Sequence, residues 1–383
     1  MVRPVSGIRT RAAGLALVLS LLAAPACDTA PTVECPRAAD CPEPPGTGPV
    51  VEGVDLDALF APPTQAEIDA VAREVAGRPP SVASVETVAT VDLGGRETVR
   101  VVAGRDASGA VAFVGAVHQP PRPAGDQRAR PLRLILTDGP DVDLERALGV
   151  PPLRDPLDGE FVSVVLAYRG QRLSVAGRSF GSDVPPEPYD RDADDALALV
   201  AHARASASLD RSDPGRLLTV GWGRGGTVAL LATARGLGPD MVVTLGAPSD
   251  FFLPSVRADA RRFLTGAPVS ALPALASVLE ASAAPVRDGT ATVAQARLAL
   301  LRRSPAPFTR PPPYVVAVHG GRDQAVPVEH GQALTEVFGT TESLYLQVNE
   351  ADHTSVLTDG EVVSTVSTLV CERVLTSEPV CDA

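Results

Sequence analysis

Six short apolar runs organise the middle and end of this chain: "LRLILT" (132–137), "FVSVVLAY" (161–168), "RLLTVGW" (216–222), "DMVVTLG" (240–246), "YVVAVHG" (314–320) and "SLYLQV" (343–348). Most are continuous rather than alternating, the pattern of strands buried on both faces. Between or after them lie stretches of helical spacing at 193–206, 225–236, 328–339 and 360–375. This alternation predicts the α/β class, a doubly wound, mostly parallel sheet with helices on both faces. Upstream, 64–77 has helical spacing, and 84–104 alternates apolar and polar residues around a Gly-Gly turn before the apolar run 109–120. That pattern predicts antiparallel N-terminal strands. Residues 250–310, rich in Ala and Pro, interrupt the rhythm between two strands. They are expected to form a helical cap insertion over the C-terminal edge of the sheet, where open α/β proteins bind ligands.

The start reads as an export signal: Arg3, Arg9 and Arg11, then the apolar run 12–26, then Cys27. Ala24 and Ala26 before a cysteine resemble a bacterial lipoprotein signal, with 1–26 removed and Cys27 lipidated; Pro25 makes the lipobox imperfect. Ordinary secretion with cleavage nearby is the alternative, and either route places the protein outside the cytoplasm, lipid-anchored in the cell envelope or secreted. Residues 27–50, rich in Pro, Gly and small polar residues, are expected to be a flexible tether, leaving 51–383 as the folded domain. The chain's 34 basic residues are all arginine, and its formal charge of −12 becomes about −15 without the signal. That balance argues against a nucleic-acid partner.

With Cys27 lipidated, Cys35, Cys41, Cys371 and Cys381 remain, an even number in an oxidising compartment. The short separations favour Cys35–Cys41 and Cys371–Cys381, with a clasp between the termini as the alternative. No histidine lies near either pair, and His118, His202 and His330 lack a metal-ligand spacing, so no metal or cofactor is expected.

The most informative stretch is Gly221-Trp222-Gly223-Arg224-Gly225-Gly226, where an apolar run meets an Ala/Leu-rich helix. A hydrolase nucleophile turn, G-x-S-x-G, needs small residues around the serine so that a strand can turn sharply into a helix. The frame fits, with Gly223 in the serine's place. Downstream, "VHGGRDQAVPVEHGQAL" and "QVNEADHTS" place Asp323 and His353 in loops after successive strands, in the order nucleophile, acid, histidine. With "AYRG" (167–170) and "LGAPSDFF" (245–252), these pieces cover roughly residues 110–375. Together they resemble prolyl-oligopeptidase-like serine hydrolases of the α/β-hydrolase superfamily. The resemblance implies the α/β-hydrolase fold and assigns Asp323 as the carboxylate that orients the base, His353.

Two departures qualify that implication. Gly223 has no hydroxyl, so acyl transfer through this position is chemically impossible. "LTDGPDV" (136–142) carries Thr137 and Asp138 where many relatives read His-Gly before Gly139, in the loop that helps build the oxyanion hole. An Asp138 carboxylate pointing into the site would repel the oxyanion. The expectation is therefore an exported lipoprotein derived from a serine esterase or peptidase, strongly impaired or inactive, that binds a small molecule, peptide or protein in the old cleft. The alternative is an active ester or peptide hydrolase using an unrecognised nucleophile, or a water held at Gly223 and activated by His353. Other readings of single residues are bland. Gly221, Gly225 and Gly226 allow tight strand–helix packing, Arg224 makes a surface salt bridge, with contact to an anionic ligand as the alternative, Trp222 packs, and Ser179 and Ser182 lie off the turn.

Overall fold

The computed structural model describes residues 48–94, 97–122, 125–150, 157–206, 212–308, 314–338, 343–376 and 381. The signal, Cys27, Cys35, Cys41 and nearly all of the tether lie outside these residues.

Nine strands form the central sheet of the described chain: β1 (Ser84–Gly94), β2 (Glu97–Arg105), β3 (Val111–Gln119), β4 (Arg130–Leu136), β5 (Val162–Ala167), β6 (Ser212–Trp222), β7 (Met241–Leu245), β8 (Val315–Gly320) and β9 (Leu344–Val348). Their order is β1-β2-β3-β5-β4-β6-β7-β8-β9. The hairpins β1–β2 and β2–β3 and the β3–β5 pair are antiparallel. All pairs from β5 to β9 are parallel. The antiparallel entry and the parallel body both follow the sequence expectation, and β4 and β5 stand in the reverse of their chain order, β5 pairing β3 and β4 pairing β6.

Every residue of β4, β5, β7 and β8 is buried, as continuous apolar runs require. Successive side chains point to opposite faces of a strand, and the core divides accordingly. Val242, Val315 and Ala317 pack into one layer with helices α2 (Asp190–Ala205) and α3 (Arg224–Ala234). Val243, Val316 and Val318 pack into another with Val362, Val366 and Val370 of α8 (Gly360–Arg373).

The remaining helices of eight or more residues are α1 (Gln65–Ala76), α4 (Pro254–Leu264), α5 (Leu275–Arg287), α6 (Val293–Leu301) and α7 (Glu329–Phe338). Of the segment 250–310, the described residues 250–308 are thus largely helical. Its Ala260, Leu264, Leu279 and Leu300 share a core with Leu56, Leu59 and Phe60. Arg297 fixes this contact by donating to the carbonyls of Ala58, Leu59 and Ala61 and pairing with Glu67. A disulfide joins Cys371 to Cys381, as the spacing suggested. No helix among the described residues is long and apolar enough to cross a membrane.

Candidate active site

β6 runs into α3 through Gly223, whose backbone has φ 52° and ψ −120°. A side-chain-bearing residue adopts such a conformation only under strain. The flanking glycines answer to crowding: a Cβ on Gly221 would lie 2.3 Å from the Gly225 carbonyl oxygen, and one on Gly225 2.0 Å from that of Leu136. The turn is therefore pressed between its own helix and the end of β4.

The end of β4 delivers Asp138. Its Oδ1 accepts a hydrogen bond from the Arg224 backbone N–H at 3.0 Å, and its Oδ2 lies 3.3 Å from His353 Nε2. A Cβ on Gly223 would fall 2.4 Å from Asp138 Cγ and 2.5 Å from Oδ2. The carboxylate thus stands where a side chain at the turn would stand, and it uses the N–H that follows the nucleophile position, a standard oxyanion-hole donor in this fold. This corrects one expectation: the space at Gly223 is filled by Asp138 rather than left for a water. Gly139 turns away from the site, its carbonyl accepting from Gln171 Nε2 at 2.7 Å.

His353 and Asp323 meet as the sequence order predicted. His353 Nδ1 lies 2.7 Å from Asp323 Oδ2, while Asp323 Oδ1 accepts from the backbone of Ala325 and Val326. Gly246 lines this pair closely, since a Cβ there would sit 3.0 Å from both His353 Nδ1 and Asp323 Oδ2. Trp222 packs on the imidazole with ring centroids 5.4 Å apart and donates from Nε1 to the His353 carbonyl. Burial alone would depress the His353 pKa, but the hydrogen bonds and charges of Asp138 and Asp323 outweigh it and raise the pKa to about 9. An imidazole held between two carboxylates donates from both nitrogens, so at neutral pH this is an imidazolium.

Arg224 corrects a second expectation. Its guanidinium is buried, not in a surface salt bridge, and donates from Nε and Nη2 to Oδ2 of Asp192 at 2.9 and 2.7 Å. It also lies over the Tyr168 ring, 4.4 Å from the centroid. Burial pushes the Asp192 carboxyl up, and Arg224 only partly offsets it; the Arg224 pKa is itself raised because Asp192 outweighs desolvation. Asp192 escaped the sequence reading, and Tyr168 entered it only as part of the stretch "AYRG", with no role assigned. The one available signal for Asp192 was the acidic "DRDADD" at the start of α2.

Ser182 Oγ donates to the Ala112 carbonyl, and Ser179 Oγ accepts from Arg172, so neither serine is placed at the turn. No group of three or more metal-ligating side chains occurs among the described residues.

No protein-family model matches the chain, and no curated protein is a significant sequence match. Solved structures do match. Acetyl xylan esterase 1 from Thermoanaerobacterium superposes with a TM-score of 0.51 at 14% identity, covering 78% of this chain and 93% of its own. An acetyl xylan esterase from Paenibacillus gives 0.51 at 12% identity with the same coverage. At such identity the likeness is one of fold. The strand order and these neighbours define an α/β-hydrolase fold, with an antiparallel extension at its N-terminal edge.

Proposed function

We propose that this chain is a cell-envelope lipoprotein, anchored through Cys27, whose domain derives from a prolyl-oligopeptidase-like serine hydrolase and has lost serine-dependent acyl transfer. It acts by binding a ligand or protein partner. The observation that carries this reading is the Asp138 carboxylate, seated against the Arg224 N–H and paired with His353. An oxyanion forming at the turn would meet a fixed negative charge instead of vacant donors, the reverse of what acyl transfer requires. His353, doubly paired, holds its proton and is a poor base near neutral pH. The same two facts weigh against the activated-water alternative, because both the water's place and the base's lone pair are taken.

The test compares hydrolysis of activated esters and aminoacyl amides, with fluorophosphonate labelling, in the wild type and in the double variant Asp138→Gly/Gly223→Ser. Silence in the wild type with labelling and turnover in the double variant is expected, since removal of a triad serine costs on the order of 10⁶-fold in turnover. Wild-type hydrolysis that disappears in His353→Ala would overturn the proposal.

A further inference from the structure

We propose that Asp138 is a carboxylate nucleophile which, together with His353, opens terminal epoxides and releases them as diols. The proposal rests on the reading above and deepens it: acyl transfer through the turn stays lost, and the ligand of the same site is an alkyl electrophile taken up covalently. Three spatial relations carry it. The Asp138 carboxylate stands in the volume that a side chain on Gly223 would need. Its Oδ1 is held at 3.0 Å by the Arg224 N–H, and its Oδ2 lies 3.3 Å from His353 Nε2. His353 Nδ1 is in turn backed by Asp323 at 2.7 Å. A nucleophile, a base within reach and a third group that orients the base are the parts that covalent catalysis needs.

The reacting pair is also the part of this arrangement that a small molecule can reach. The side chains of Asp138 and His353 each keep 15% of their surface open to solvent, whereas that of Asp323 is sealed at 0%. The loop is pinned just beyond the carboxylate, where Gln171 Nε2 donates to the Gly139 carbonyl at 2.7 Å and Asp141 Oδ1 accepts from the Arg172 backbone N–H at 2.8 Å. A nucleophile held in this way gives up little further freedom when it reacts.

What forbids acyl transfer suits displacement at a saturated carbon, because the fixed carboxylate then supplies the attacking electron pair. Oδ2 attacks the unhindered carbon of the epoxide, the ring C–O bond breaks, and its electron pair goes to the oxygen, which takes the Nε2 proton of His353. The product is a hydroxyalkyl ester of Asp138 beside a neutral imidazole, since esterification also removes one of the two charges that hold the proton. His353 then takes a proton from water, and the hydroxide adds to Asp138 Cγ. Negative charge develops on Oδ1, which the Arg224 N–H already faces. Collapse breaks the ester bond, the departing oxygen takes the proton from Nε2, and the carboxyl gives its own proton back to His353; epoxide and water have become a diol. The leaving group selects an epoxide over an alkyl halide. An alkoxide needs an acid, which the imidazolium supplies, whereas the indole N–H beside it, which could hold a halide, already donates to the His353 carbonyl at 3.2 Å.

The experiment incubates the protein with phenyl glycidyl ether, following the diol by chromatography and the protein by peptide mass spectrometry. The wild type is expected to form the diol catalytically and, in a single turnover in heavy-oxygen water, to take the heavy oxygen into Asp138 and not into the diol; this readout needs no variant. His353→Gln should release no diol but accumulate one ester on the peptide that carries Asp138. Asp138→Asn should lower kcat/KM at least about a thousandfold and form no adduct. A wild type that yields neither diol nor adduct, heavy oxygen found in the diol, or an adduct on another residue would each overturn the proposal. Turnover of phenoxypropyl chloride without turnover of the epoxide would overturn the choice of electrophile. Hydrolysis of activated esters by the wild type would instead overturn the loss of acyl transfer, so the two readings fail separately.

Discussion

Asp138 and Gly223 occupy one space between them: the carboxylate of the first fills the volume that a side chain on the second would need, with 2.4 Å between Asp138 Cγ and a Cβ built on residue 223. They belong to loops after different strands. The state of the site is therefore a property of the pair.

Gly223→Ser alone should be destabilised and should stay unlabelled by fluorophosphonate. The serine would enter a strained backbone conformation, costing about 1–3 kcal/mol, and would also collide with Asp138. Adding Asp138→Gly removes the collision and should recover part of the loss. Urea denaturation of the two single variants and the double checks this; equal stability of Gly223→Ser and wild type would contradict it.

Stability should fall as the pH rises past neutrality. The folded-state pKa of His353 is raised, to about 9 from an ordinary 6.5, so its contribution is fully present below pH 6.5 and is lost as pH climbs through 9. The loss should be on the order of 2–3 kcal/mol. Denaturation at pH 6 and at pH 9.5 measures it, and His353→Gln should flatten most of the difference.

Arg224→Met should cost about 3–5 kcal/mol, because it strands the buried Asp192 carboxylate without its cation. The double variant Arg224→Met/Asp192→Leu should recover much of that, since replacing a buried pair by apolar groups of similar size is often near neutral. A thermodynamic cycle over the four proteins decides the point. Additive losses would mean that the two side chains do not depend on each other.

Replacing both Cys371 and Cys381 by serine should lower stability by about 2–3 kcal/mol through the freed chain entropy of a short loop. Melting of the wild type with and without reductant provides the comparison. An unchanged melting temperature would mean that the bridge constrains little.

The sheet was legible because its strands are continuous apolar runs and its helices repeat at 3.6 residues; the observed bounds of β8 and β9 differ from the apolar runs by a single residue at one end. Asp323 and His353 were legible because order and spacing along the chain carry them into adjacent loops. What stayed hidden depends on side-chain direction. Whether Asp138 points inward rests on the path of one loop and on donors 86 and 215 residues away. The Arg224–Asp192 pair spans 32 residues with no local pattern to announce it. An arginine beside a turn reads as exposed on polarity alone, and only the packing of α2 against α3 reveals that it is not.

Trp222 is the chain's single tryptophan and rests against the imidazole ring of His353. The protein's indole emission therefore comes from one fluorophore in contact with the group that sets the charge of the site. Protonated imidazole quenches a neighbouring indole more strongly than neutral imidazole does, so the intrinsic emission is a built-in optical reading of whether the imidazolium is present. Titration of His353 through about 9 is therefore expected to register as a change in the emission of the unlabelled protein.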